Sequence, residues 1–307
     1  MAAGPVLVAT DFSERGDNAI REGDAWARRL GAPLVVCHFV PILVGLHPLL
    51  PQLDTQDILA LPIIHEQLRA ALATAVRRIT GRSRAEFRVV LAEGIAGGCI
   101  LRTAETASAS VVVLGATGKG AFERAFLRST SEHVIRHSRA PILIARAKRA
   151  GPILAAVDVS RDTLPLLKAA VAEADRRDLP VFAMYSVDPA PTSQLSLTLN
   201  GPAIDMQRQS CDQTVRDALW RSGARSARPI IADGPAHLAI PRVARELDAD
   251  LIVVGTHSQA AEPGGFLGGV AHGLTRNAPC SVLVVHLPFP SQTVRPRLRR
   301  AVRWPWA

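Results

Sequence analysis

The chain repeats itself. VLVATDFS at 6–13 realigns with ILAAVDVS at 153–160 at a shift of 147 residues, which also superposes Asp11 on Asp158, Pro33 on Pro180 and Val40 on Val187. Further along the shift becomes 140: Ala92-Glu93-Gly94 meets Ala232-Asp233-Gly234, VVVLG at 111–115 meets LIVVG at 251–255, and Phe126-Leu127 meets Phe266-Leu267. The second copy is therefore seven residues shorter, and the difference falls between about 41 and 88, where copy one carries an apolar, proline-rich insertion. A self-match in constant order is the signature of a duplicated domain. Its 307 residues suit two units of about 150. The expected division is 1–148, 149–288 and a basic C-terminal tail, 289–307.

Within each copy, short apolar runs alternate with helix-period stretches, the pattern of parallel strands joined by crossover helices. Strands are predicted near 5–9, 34–40, 86–91, 111–115 and 141–145, and again near 153–157, 180–186, 228–232, 251–255 and 281–286. Their nearly unbroken Val, Ile, Leu and Ala content fits strands covered on both faces. The fold class is α/β: two doubly wound five-stranded parallel sheets with helices on both faces, as a tandem repeat. Ligands of such sheets bind beyond the carboxyl ends of the strands, where the strand order reverses. Asp11, after the first strand, and Gly115, ending the fourth, are placed to flank that crevice; Asp158 and Gly255 are their counterparts.

Composition bounds the partners. The formal net charge is +9, but Arg295, Arg297, Arg299, Arg300 and Arg303 fall in the tail without an acid, so the body does not demand nucleic acid. Trp304 and Trp306 accompany those arginines, yet a solubilising tail is the simpler reading. From Leu30 to Leu53 no charged side chain occurs, but Pro33, Pro41, Pro48 and Pro51 argue against a spanning helix. Cys37, Cys99, Cys211 and Cys280 form no CxxC pair and read as thiols of a reducing compartment. With no signal-like N-terminus, a cytoplasmic location is expected.

The main chemical signal is GATGKG at 115–120, followed by RSTSEHVI at 128–135. Glycines let backbone N–H groups approach an oxyanion, and a helix predicted to start near Ser129 would turn its positive end toward phosphate. The spacing is not that of a P-loop. Ser129 and Glu132 also match a capping box, which would leave the glycines a turn-forming role alone. Asp11 equally matches a helix cap. His133 and His137 are spaced i, i+4 but lack the glutamate of HExxH and a third ligand, so no metal site is assigned. No nucleophile elbow or paired-carboxylate arrangement stands out, so catalysis is not required.

AspPheSer after strand one, then Gly-x-x-Gly, nine residues and a residue followed by Ser-Thr, resembles the universal stress protein family over residues 5–287. The resemblance implies an ATP site, with Mg, in copy one. Asp11 and the backbone around Val40 would hold adenine, and Gly115, Thr117, Gly118 and Lys119 the ribose and phosphate side. Ser129 and Thr130 would hold the phosphates. Arg128 stands where the family pattern has its third glycine, and would either crowd the phosphates or pair with them. Copy two is eroded, with Ser258 for the second glycine and Gly269 for the hydroxyl residue, so Asp158 is read as a capping or fold-shaping residue. The resemblance further implies a pseudo-dimer of the copies through 141–145 and 281–286, and leaves a homodimer open. It points to a nucleotide-responsive regulator of some protein partner, at most a slow ATPase. The alternative is a tandem that binds no nucleotide and works as a protein interaction module. Nucleic acid and membrane are not expected partners.

Overall fold

The computed structural model describes residues 4–40, 61–116, 123–147, 149–158, 163–187, 201–223, 227–256 and 268–286. Copy one runs β1 (Val6–Ala9), α1 (Glu14–Leu30), β2 (Leu34–Val40), α2 (Leu61–Thr80), β3 (Phe87–Glu93), α3 (Ala96–Thr106), β4 (Val111–Gly115), α4 (Glu123–His137) and β5 (Ile142–Ala145). Copy two follows as β6 (Ile153–Ala156), α5 (Leu164–Arg177), β7 (Val181–Val187), α6 (Gly201–Ser222), β8 (Arg228–Asp233), α7 (Ala236–Glu246), β9 (Leu251–Gly255), α8 (Gly269–Asn277) and β10 (Ser281–Val285).

Each copy orders its strands 3-2-1-4-5 in parallel, and the two expected sheets are fused into one of ten strands: β3-β2-β1-β4-β5-β10-β9-β6-β7-β8. The joint is antiparallel, β5 against β10, with Leu143 opposite Leu283. Because the side-chain period of a strand is two, each strand feeds both faces. Val6 and Val8 enter one core with α1 and α2, while Leu7 and Ala9 enter the other beside Ile100 and Ile135 of α3 and α4. Both cores continue through the joint into copy two.

The repeat extends to backbone detail. Helix α1 ends on Gly31 in the left-handed region (φ 59°), and α5 ends at the equivalent Asp178 (φ 53°). A Cβ on Gly4 would lie 2.2 Å from the Ser108 carbonyl, and one on Gly151 would lie 2.1 Å from that of Asp248. Both glycines admit the same close approach of a turn.

The linker is tied down by arginines. Arg146 donates to the Thr275 carbonyl in the last turn of α8 (2.6 Å), and its N–H donates to Ser281 Oγ (3.0 Å). Burial lowers the Arg146 guanidinium to about 10. Arg149 reaches the Pro279 carbonyl (3.1 Å), and its N–H donates to Asp250 Oδ1 (3.1 Å).

Candidate functional site

The switch point of copy one lies between β1 and β4, which pair directly with Ala9 opposite Leu114. Beyond β1 the chain turns sharply: Phe12 takes a positive φ of 64°, and Asp11 Oδ1 accepts from both the N–H (3.0 Å) and the hydroxyl (2.5 Å) of Ser13. Ser13, not Asp11, is the N-cap of α1, accepting the Gly16 N–H at 3.1 Å. Glu14 and Asp17 in the first turn suit the positive end of that helix. Asp11 thus braces the cap from outside the helix. Gly16 must be small here, since a Cβ would stand 2.3 Å from Thr10 Oγ1.

Gly115 faces the same turn. A Cβ there would meet the Arg15 carbonyl oxygen at 2.8 Å, so this glycine lets the end of β4 lie against the start of α1. Val40 is 1% exposed beneath Ile64 and Leu68 of α2, with Phe12 and Leu91 packed alongside. Its carbonyl already accepts the Gly94 N–H at 3.1 Å, and a carbonyl keeps a second lone pair. On the far rim, His65 Nε2 lies 3.2 Å from Glu93 Oε1.

His38 was not singled out from the sequence and proves central. It is 3% exposed on β2, donates Nδ1–H to the Thr10 carbonyl at 2.8 Å, and meets the Phe12 ring edge-on at a centroid distance of 4.6 Å. It fixes the exit of β1 that presents Asp11. Burial pushes its pKa down, opposed in part by the Thr10 hydrogen bond and the nearby Asp11. The available signal was a polar residue inside an otherwise apolar strand, VVCHFV at 35–40.

The remaining sequence candidates divide. Thr117, Gly118 and Lys119 lie outside the described residues, as do the 41–60 insertion and the 287–307 tail. Arg128, Ser129 and Thr130 belong to α4, which begins at Glu123 and not near Ser129. Ser129 is therefore more than a turn inside the helix, and Ser129 with Glu132 does not form a capping box at its start. In copy two the N-cap position of α5 is Thr163, five residues beyond Asp158. His137 Nδ1 is hydrogen-bonded to the His133 carbonyl (2.8 Å), and no group of three potential metal ligands occurs among the described residues. No described helix is long and apolar enough to cross a membrane. Burial raises the Cys37 and Cys280 thiols to about 12, which makes them inert at neutral pH.

Comparison with known proteins bears on this geometry. The family model described as the universal stress protein family matches residues 3–146 and again 150–286. The chain belongs to the universal stress protein family. Universal stress protein Rv2005c of Mycobacterium tuberculosis is 25% identical over 295 residues, covering 91% of this chain and 96% of that protein. A universal stress protein of Mycolicibacterium smegmatis is 24% identical over 294 residues, with the same coverage of 91% and 96%. Among solved structures, a universal stress protein from Archaeoglobus fulgidus superposes with a TM-score of 0.64 at 17% identity, over 92% of this chain and 96% of its own, and so shares the fold. This family member is a tandem, two universal stress protein units fused edge to edge.

Proposed function

We propose that copy one binds ATP or a related adenine nucleotide, with Mg, and that the chain is a cytoplasmic, nucleotide-responsive stress regulator. The observation that carries this reading is the convergence of Asp11 and Gly115 on the β1/β4 switch point, the place where open α/β sheets take their ligands. The spacing Gly115-x-x-Gly118 supports it from the sequence. Asp11 and the Val40 backbone would receive the base, with Phe12 and Leu91 supplying apolar surface. Gly115, Thr117, Gly118 and Lys119 would take the ribose and phosphates, and Arg128, Ser129 and Thr130 the outer phosphates from the side of α4. Any hydrolysis would be slow and incidental. The working units are 1–148 and 149–288, with 289–307 as a tail.

Calorimetric titration of the full chain with Mg-ATP tests this. Micromolar binding at one site per chain, weakened by Gly118→Ala and by Asp11→Ala, is the expected result. No heat, with no thermal protection by Mg-ATP, overturns it. That outcome would favour the interaction-module reading, for which the observation is the exposure of Ile95 (84%) and Ile63 (63%) on copy one.

A further inference from the structure

Where α1 faces copy two, five buried side chains interlock. Arg177, near the end of α5, is the hub: its guanidinium lies 2.5 Å from Asp250 Oδ2, 3.5 Å from Glu173 Oε2 and, across the joint, 3.5 Å from Glu22 Oε1. The same guanidinium stacks over the Trp26 ring at 5.3 Å, and Trp26 Nε1 donates to Glu22 at 3.2 Å. Trp26 is 4% exposed, and the side chains of Glu22, Glu173, Arg177 and Asp250 are 9%, 4%, 5% and 3% exposed. Arg29 flanks the group, 3.7 Å from Glu22 and 5.7 Å from the Trp26 ring.

The repeat shows how unlike the two sides are. At the 147 shift Trp26 is equivalent to Glu173, Leu30 to Arg177 and Glu22 to Ala169; at the 140 shift Ser110 is equivalent to Asp250. The strands at the joint are, by contrast, nearly symmetric. Leu143 and Leu283 are themselves equivalent at the 140 shift and stand opposite each other, so the pseudo-twofold passes between them. β5 could therefore pair with a second β5 in the same register. The backbone of the joint does not choose between like and unlike halves, so a preference has to come from side chains such as those of α1 and α5.

We infer that Glu22, Trp26, Glu173, Arg177 and Asp250 form a recognition surface whose partner is the unlike half, so that copy one accepts copy two and rejects a second copy of itself. Two copies of unit two would bring Arg177 against Ala169 and Glu173, without the aromatic plate or the Glu22 carboxylate. Two copies of unit one would set Trp26 against Trp26 and leave Glu22 with Arg29 and the Trp26 N–H of its own unit but without Arg177. A buried charge that loses one of its partners is costly, and the cost of the lost Glu22–Arg177 contact in the wrong pairing is what confers specificity.

Disulfide trapping in the full chain tests this, because opposed residues of an antiparallel pair come close enough for a disulfide. Leu143→Cys with Leu283→Cys should give an intrachain link after oxidation. All chains carry Cys211→Ser, which removes the one described native thiol that is not buried; Leu143→Cys alone then links at the joint only to Leu143→Cys of another chain, and with Arg177 intact it should stay unlinked. Adding Arg177→Leu, a side chain that copy one already carries at the equivalent Leu30, should raise the interchain link several-fold at equal protein concentration. Glu22→Lys is made in parallel, so that the test survives if Arg177→Leu fails to fold by circular dichroism. An interchain link as abundant with Arg177 and Glu22 as without them overturns the inference, as does its absence from every folded substituted chain.

Discussion

The Thr10 carbonyl accepts its hydrogen bond from an imidazole, His38 Nδ1, that is 3% exposed and held neutral by burial. The native pKa lies below the ordinary value of about 6.5, so between the two the unfolded chain binds a proton that the folded chain refuses. The contribution of His38 is present above about pH 6.5 and is lost as pH falls through the native pKa. The unfolding free energy should fall from pH 7 toward pH 5 with a slope of up to ~1.4 kcal/mol per pH unit from this group, and the thermal midpoint with it. His38→Gln should flatten that part of the profile. An unchanged profile in His38→Gln would place the titration elsewhere.

Ser13→Ala removes the cap of α1 and one of the two groups that hold Asp11 in place. The expected loss is about 1 kcal/mol of stability, within the range of N-cap deletions, read as a shift of the urea midpoint. Asp11→Ala should cost less, because it supports the cap from outside. Equal losses would mean that the Asp11 contacts, not the cap itself, carry the turn.

Gly115→Ala separates two roles for one glycine. Its new Cβ would press on the backbone oxygen of Arg15, which cannot swing away, so a loss of about 1–3 kcal/mol is expected without any nucleotide. Gly118→Ala is expected to act through binding. If Gly115→Ala leaves the thermal midpoint unchanged, the close approach of β4 to α1 is not structural.

The α3–α4 and α7–α8 crossings give a paired test. A Cβ on Gly97 would lie 2.7 Å from His133 Cδ2, whereas one on Gly273 would lie 3.7 Å from His237 Cβ. The partners are exchanged by the repeat: Gly97 is equivalent to His237 and His133 to Gly273 at the 140 shift. Gly273→Ala should stabilise the chain by about 0.5–1 kcal/mol through helix propensity. Gly97→Ala should gain less or lose, because the imidazole must move. Equal gains at both sites would refute the steric account.

The sequence exposed what is periodic and local. Duplicated strand runs place all ten strands within a residue or two, and the Asp11 and Gly115 positions follow from strand ends alone. Ser129-x-x-Glu132 has the composition of a cap, but a helix that begins at Glu123 runs through it, so cap composition alone does not locate this helix start. The role of Arg177 was not legible, since its partner Glu22 is 155 residues away and only the fold brings the two together. His38 lay in plain view, but its meaning depends on a carbonyl 28 positions upstream.

Pairing β5 with β10 leaves the sheet with two outer strands, β3 and β8, and β8 carries Pro229, a residue suited to an edge because it offers no N–H. Either unit without the other would present a bare apolar strand, ILIA or SVLVV, open to any passing chain. Covering both strands inside one chain makes the protection independent of protein concentration, which an edge shielded by a separate partner cannot be.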